Sequence, residues 1–277
     1  MDTPNLKSIQ IEGAQLPYVE FGHGEPVVLV HGSNSDYRIW TEHCELISQR
    51  YRVIALSQRY FGGTPWSDAG ERFNISDLAN DLGAFVHGLG AGPVSLVGWS
   101  FGGAVSLTLA IRRPDLVKRM FLYEPSPATF VTVPVEAKTA LDDRLDMMRA
   151  AKPLAAAGDL AGAVRVFING VNADDGAFAS LSADVRSMMT ENARMLPLLF
   201  AGPPPPSVCA ADLQGLKVPV TIGIGQDSRI GYQIAARTAA SLLPGGQLTV
   251  VKSARHLWPI QRPQEFAKLV LDFLDRP

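Results

Sequence analysis

The chain has 277 residues, of which 47% are hydrophobic and 19% charged, so it can bury a large core as one domain or as a domain carrying an insertion. The formal net charge is -2 and no run of Lys or Arg appears, which gives no electrostatic footprint for nucleic acid or an anionic membrane. A small, weakly charged molecule is the expected partner, and a homodimer is compatible with this composition.

Residues 6–21 alternate in short runs broken by Gly13 and Pro17, which predicts an antiparallel opening pair. Residues 26–30 then form a wholly apolar run ending in His31-Gly32, as suits a parallel strand buried on both faces. Further candidates of this kind are 51–56, 94–99, 120–123, 218–225 and 248–251. Helical spacing falls between them. Ser76 is a candidate N-cap for a helix carrying Leu78, Leu82, Phe85, Val86 and Leu89. Residues 104–110 read as a second helix. Pro263 opens a last one with Phe266, Leu269, Val270, Phe273 and Leu274 on one face. The alternation predicts an α/β fold, a mostly parallel twisted sheet with helices on both faces, whose ligands bind at the carboxyl edge of the strands.

Residues 127–207 break the alternation. They are rich in Ala, Met and Leu and close on Pro203 to Pro206, read as a stiff re-entry into the core rather than a recognition motif. The expected organisation is a core of 1–126 and 208–277 with a mainly helical cap, or lid, at 127–207. Met147, Met148, Met188, Met189 and Met195 suit either an adaptable pocket or, better, the core of that insertion. The two cysteines, Cys44 and Cys209, have no metal or redox spacing and read as reduced thiols. The first residues carry no basic-then-apolar signal, and no stretch approaches the ~20 apolar residues that span a bilayer, so a cytoplasmic protein is expected.

The chemistry centres on Gly98-Trp99-Ser100-Phe101-Gly102. A strand before it and a helix after it supply what a nucleophile elbow requires: a sharp turn that lifts the Ser100 hydroxyl above the sheet at a helix N-terminus. Serine alone is a poor nucleophile and needs a base. Of five histidines, only His256 follows the last strand and precedes the final helix, on the same edge as the elbow. His31 reads as a loop-shaping residue, His87 as a packed or solvated helix residue, and His23 and His43 have no catalytic context. The backbone amides of Ser33, in His31-Gly32-Ser33-Asn34, and of Phe101 are the candidates for an oxyanion hole. Trp99 and Phe101 flank the nucleophile and are candidates to shape the acyl side. No metal-ligand spacing or phosphate-cradling loop appears, so no cofactor is implied.

In this order of parts the chain resembles the α/β-hydrolase superfamily across nearly its whole length. The segment from His31 to Trp40 is similar in layout to a loop of haloalkane dehalogenases, but those enzymes, like epoxide hydrolases of this fold, need an aspartate nucleophile where this chain has Ser100. The resemblance therefore implies an acyl-serine route, as in an esterase or lactonase. In most relatives the acid of the triad follows the seventh strand. That place holds Ser228 here, with Asp227 one residue early, and a serine cannot replace a buried carboxylate. Glu124, at the end of the sixth strand, is a second candidate, and some branches of the superfamily look as if they carry the acid there. Glu124 is preferred over Asp227. The reading is a serine hydrolase of a small apolar ester or lactone; the alternatives are a cofactor-free lyase, C–C bond hydrolase or perhydrolase on the same triad, or a weakly catalytic receptor.

Overall fold

The computed structural model describes residues 5–201 and 208–276. The run Pro203 to Pro206 and the first four residues, on which two of the expectations above rest, lie outside that range.

Eight strands form one sheet: β1 (Lys7–Ile11), β2 (Ala14–Phe21), β3 (Pro26–Val30), β4 (Arg52–Leu56), β5 (Val94–Trp99), β6 (Val117–Tyr123), β7 (Val220–Gly225) and β8 (Gln247–Val251). Their order is β1-β2-β4-β3-β5-β6-β7-β8. β1 and β2 form the antiparallel opening pair, joined at Gly13, which takes a φ of +67°. From β4 to β8 every pairing is parallel. The central strands β3 and β5 are buried along almost their whole length because helices cover both faces, and this is why they read as unbroken apolar runs. β6 begins three residues before its apolar run, since Lys118 and Arg119 reach the surface at its start and pair with Glu25.

The helices that follow the early strands are α1 (Thr41–Ile47), α2 (Ile75–Gly88) and α3 (Phe101–Arg112). α2 is capped by Asn74, whose Oδ1 accepts from the Asp77 amide at 2.9 Å, and not by Ser76. Ser76 lies inside the helix, where its Oγ accepts from Arg112. Asparagine is an equally good cap, and its position two residues earlier brings Ile75 onto the buried face. α3 is buried on nearly every side. Its interior hydroxyls are satisfied without leaving the helix: Ser106 Oγ donates to Gly102 O and Thr108 Oγ1 to Ala104 O.

Between β6 and residue 201 the regular structure is helical, with α4 (Pro134–Arg149), α5 (Ala151–Ala156), α6 (Leu160–Asn172), α7 (Ala177–Ser180), α8 (Ala183–Glu191) and α9 (Leu196–Phe200). Met188, Met189 and Met195 are packed into the core. After them come α10 (Ala210–Gly215), α11 (Ile230–Leu242), α12 (Trp258–Gln261) and α13 (Pro263–Leu274). α13 opens on Pro263 as its spacing predicts and buries Phe266, Val270, Phe273 and Leu274. Each fully buried side chain of this kind contributes about 1.5–3 kcal/mol of transfer free energy. Both cysteines are free, Cys44 buried and Cys209 exposed. No helix among the described residues is long and apolar enough to cross a membrane.

Candidate active site

The register of the sheet decides which residues can meet. Trp99 of β5 is paired with Tyr123 of β6, and Tyr123 with Gly223 of β7. Ser100 and Glu124 are each one residue further on, so both leave the sheet at the same level on neighbouring strands. The Ser100 amide donates to Tyr123 O at 2.9 Å, the Glu124 amide to Gly223 O at 3.0 Å, and the Ser126 amide to Ser100 O at 3.1 Å. Both residues pay in backbone conformation for this placement, with φ of +55° at Ser100 and +47° at Glu124.

The elbow also demands glycine. A Cβ on Gly102 would lie 2.2 Å from His31 O, and one on Gly98 would lie 2.8 Å from the Gly103 Cα. The first contact brings α3 directly against the end of β3 and its loop, and the second packs β5 against α3. A Cβ on Gly32 would lie 3.2 Å from Ser100 Cβ, which sets the start of that loop beside the nucleophile.

His256 reaches the same point from the loop after β8. Its Nδ1–H donates to Glu124 Oε2 at 2.6 Å, and its Nε2 accepts from Ser100 Oγ at 3.0 Å. Both His256 and Glu124 are buried. The second carboxylate oxygen, Oε1, accepts from the Gly225 amide at 2.9 Å and from Ser228 Oγ at 2.5 Å. Thus the serine at the end of β7 is a donor to the carboxylate that arrives from β6. Asp227 is exposed, and its amide donates to Ala254 O. It does not cap the following helix either: Arg229 is the residue before α11, and it makes no side-chain cap.

The loop bearing His256 is held from several sides. Trp99 Nε1 donates to His256 O at 3.1 Å, and Tyr123 Oη donates to Arg255 O at 2.9 Å. Asn172, at the end of α6, accepts the Leu257 amide at 3.0 Å through its side chain, while Arg255 donates to the carbonyls of Asn172 and Ala173. The ring of Tyr232 on α11 stacks on the His256 imidazole, with centroids 4.3 Å apart and planes 6° from parallel. Trp99 thereby helps to hold the histidine loop. Phe101 packs against Phe73 and Phe61.

The loop after β3 is equally fixed. Burial pulls the pKa of His31 down to about 4, so its imidazole is neutral near pH 7. Its Nδ1–H donates to Gly32 O at 2.7 Å, and its Nε2 accepts from the Gln58 amide at 3.1 Å. Asn34 donates to Met189 O, and Asn192 bridges Asp36 and the Gly62 amide, which ties this loop to the helices between β6 and β7. Among the described residues, the amides of Ser33 and Phe101 donate to no protein acceptor. His43 is buried and donates to Pro259 O, whereas His23 and His87 are exposed. No group of three or more His, Cys, Asp or Glu that could hold a metal ion occurs among the described residues.

A cavity of about 360 Å³ adjoins this constellation, lined in part by Ser126, Pro127, Arg144, Met147 and Tyr232. Its wall is largely apolar, and of the five methionines between β6 and β7 only Met147 lines it. Asn172, Ser228, Tyr232 and Arg144 carry no sequence signature of their own. Only Ser228 could have been anticipated as a partner of Glu124, because it fills the place a carboxylate leaves.

Comparison with known proteins places these parts in a family. The chain is 36% identical over 103 residues to (E)-2-((N-methylformamido)methylene)succinate hydrolase of Acinetobacter baylyi, covering 37% of this chain and 38% of that one. It is 26% identical over 278 residues to pyrrolizixenacetamide deacetylase of Xenorhabdus hominickii, covering 97% and 98%. The matched segments span 33 to 40% of the length of the first three curated relatives. Among solved structures, carboxylesterase CesB of Bacillus subtilis superposes with a TM-score of 0.77 at 19% identity, covering 99% of this chain and 92% of that one. The family model for the alpha/beta hydrolase fold matches residues 25–263, and the chain therefore belongs to the alpha/beta hydrolase family.

Proposed function

We propose that the protein is a serine hydrolase that cleaves a carboxylic ester or lactone of a small, largely apolar substrate through an acyl-enzyme. The observation that carries this reading is the His256 imidazole set between two partners, Ser100 Oγ at 3.0 Å and Glu124 Oε2 at 2.6 Å.

Because Nδ1–H is committed to the carboxylate, Nε2 presents its lone pair to the Ser100 hydroxyl. As Ser100 Oγ attacks the substrate carbonyl, its proton passes to His256 Nε2, and Glu124 stabilises the imidazolium that forms. The developing oxyanion is held by the amides of Ser33 and Phe101, the second of which opens α3 and adds the partial positive charge of a helix N-terminus. His256 then protonates the leaving alkoxide. Water, deprotonated by the same nitrogen, attacks the acyl-enzyme and releases the acid. The Gly225 amide and the Ser228 hydroxyl hold the Glu124 carboxylate aimed while this happens, each donating to the oxygen that His256 leaves free.

The test is a panel of small esters, lactones and amides assayed with the wild type and with Ser100→Ala. Rapid release of the acid, reduced roughly 10⁴-fold or more by Ser100→Ala, is the expected result. A second reading is C–C bond hydrolysis, since the chain is 38% identical over 106 residues to 2-hydroxy-6-oxo-2,4-heptadienoate hydrolase of Pseudomonas putida. Turnover of a vinylogous 1,5-diketone with none of any ester would select it.

A further inference from the structure

α4 places at the cavity beside Tyr232 one charged side chain that has no partner among the described residues. Arg144 lines the cavity, is half-buried, and makes no hydrogen bond or ion pair with any described residue. The acidic side chains near it are engaged elsewhere. Asp143, on the same cavity, accepts from Arg229 Nε at 3.0 Å and from the Gly231 amide at 3.1 Å. Asp142 pairs with Lys138, and Asp146 with Arg229 and Arg149. Burial pulls the pKa of Arg144 below its usual value, and the neighbouring Tyr232 phenol is neutral because burial raises its own. Arg144 shares the cavity wall with Pro127, Ala137, Ala140, Leu141 and Met147, and a half-buried guanidinium without a counter-charge there carries a cost that is recovered when an anion enters.

The cavity that Arg144 lines is also lined by Tyr232, whose ring stacks on the His256 imidazole, and by Ser126, whose amide is bonded to Ser100 O. From this juxtaposition we infer that the substrate is an acid ester, or a lactone bearing an acid group, whose carboxylate is anchored by Arg144 while its apolar middle fills the cavity. The guanidinium presents paired N–H donors that match a carboxylate. A phosphate monoester would bring close to two charges to a wall that offers one unpartnered cation. Arg144 is thus a specificity-determining residue. The inference rests on the serine-hydrolase reading for its chemistry, and its binding half can be tested apart from it.

The test pairs two esters of similar shape, p-nitrophenyl hydrogen glutarate and p-nitrophenyl valerate. The wild type is expected to favour the glutarate by at least about 10-fold in kcat/KM, a charge-assisted hydrogen bond being sufficient for that factor. Arg144→Met is expected to bring the ratio to about one or below, chiefly through KM. Arg144→Lys keeps the cation without the fork and should retain part of the preference, which separates loss of charge from loss of folding. The second arm needs no turnover. In Ser100→Ala, calorimetric titration with ethyl hydrogen glutarate should show binding at least 10-fold tighter than with ethyl valerate, and Ser100→Ala combined with Arg144→Met should abolish the difference. Hydrolysis of both p-nitrophenyl esters with no preference for the glutarate would overturn the inference and leave the serine-hydrolase reading standing. Selective binding of the glutarate with no turnover of either ester would uphold the carboxylate anchor and sink that reading.

Discussion

The loops that leave β6 and β7 are neighbours on the same edge of the sheet, and they divide one task between them. The β6 loop supplies the carboxylate, Glu124, from a backbone position with φ of +47°. The β7 loop supplies two donors, the Gly225 amide and the Ser228 hydroxyl, that receive one oxygen of that carboxylate. A buried carboxylate needs partners for both oxygens, and here His256 takes one and the β7 loop takes the other. The difference teaches that a carboxylate at the end of β6 works with its neighbour: the β7 position that meets it is a donor, and the β6 backbone turns the side chain towards the histidine. Gly225 fits the same scheme, for a Cβ there would lie 2.3 Å from Ala254 O and 2.6 Å from Ser228 Oγ.

The largest effect expected from breaking this division comes from the carboxylate itself. Glu124→Gln keeps the shape and removes the charge, and it leaves an amide that can present the wrong group to His256 Nδ1–H. A fall in kcat of about 10³- to 10⁴-fold on any ester turned over by the wild type is expected. Asp227→Asn, an exposed change one residue from Ser228, should stay within about 2-fold. The reverse pattern, with Glu124→Gln nearly silent and Asp227→Asn severe, would falsify the assignment of the acid.

A smaller effect, in the direction of gain, sharpens the same comparison. Adding Ser228→Asp to Glu124→Gln places a carboxylate at the end of β7, at the position whose side chain meets Glu124. The double variant is expected to recover at least about 10-fold in kcat over Glu124→Gln alone, because geometry and not strand identity limits which acid can orient the histidine. Recovery should be incomplete, since the Gly225 amide would then face an uncharged side chain at position 124, and the hydroxyl that shares the native oxygen with it would be gone. Kinetics of the two single variants and the double variant complete the cycle, and strict additivity would show that the two positions do not communicate.

Much of this was legible in the residues, for identifiable reasons. The buried strands could be read from apolar runs, and the elbow from Gly98, Ser100 and Gly102, because glycine is required where α3 meets the β3 loop and no side chain fits. The parallel strands put His256 and the elbow on the same carboxyl edge, and the loop after β8 reaches past β7 and β6 to bring His256 to Ser100. What could not be read is what depends on a few ångströms of tertiary placement. Asn74 rather than Ser76 caps α2, a choice between two good caps that the packing of Ile75 decides. Trp99 looks like a pocket residue beside a nucleophile, yet its indole N–H is drawn to His256 O. Asn172 and Arg144 lie in helices whose sequence has no motif, and only the docking of those helices against the carboxyl edge gives their side chains a role.

Removing one of the two donors from the β7 loop should cost less than removing the acid. Ser228→Ala leaves the Gly225 amide on Glu124 Oε1 and deletes a 2.5 Å hydrogen bond to a buried charge. A loss of about 10-fold in kcat is expected, with KM little changed, because a hydrogen bond to a charged group is worth roughly 1.5–3 kcal/mol and part of it is compensated by the remaining donor. Ser228→Thr keeps the hydroxyl and should recover most of that loss, which a purely steric role for Ser228 would not allow.

The smallest effect is expected one turn further along, where the β7 side supplies Tyr232. Its ring lies 4.3 Å from the His256 imidazole and nearly parallel to it, so it limits the tilt of the ring between Ser100 and Glu124. Its hydroxyl meets Met147 Sδ at 3.3 Å, a weak contact to a soft acceptor. These two parts of one side chain can be separated. Tyr232→Phe keeps the stacked face and should alter kcat by less than about 2-fold. Tyr232→Leu keeps apolar bulk but loses the planar face, and aromatic contacts of this kind are worth about 0.5–1.5 kcal/mol, so a fall in kcat of roughly 2- to 10-fold is expected. If Tyr232→Phe were as damaging as Tyr232→Leu, the hydroxyl would be the active part and the stacking account would be wrong. Glu124 holds the imidazole along one bond, Nδ1–H to Oε2, whereas the stacked Tyr232 ring restrains its plane.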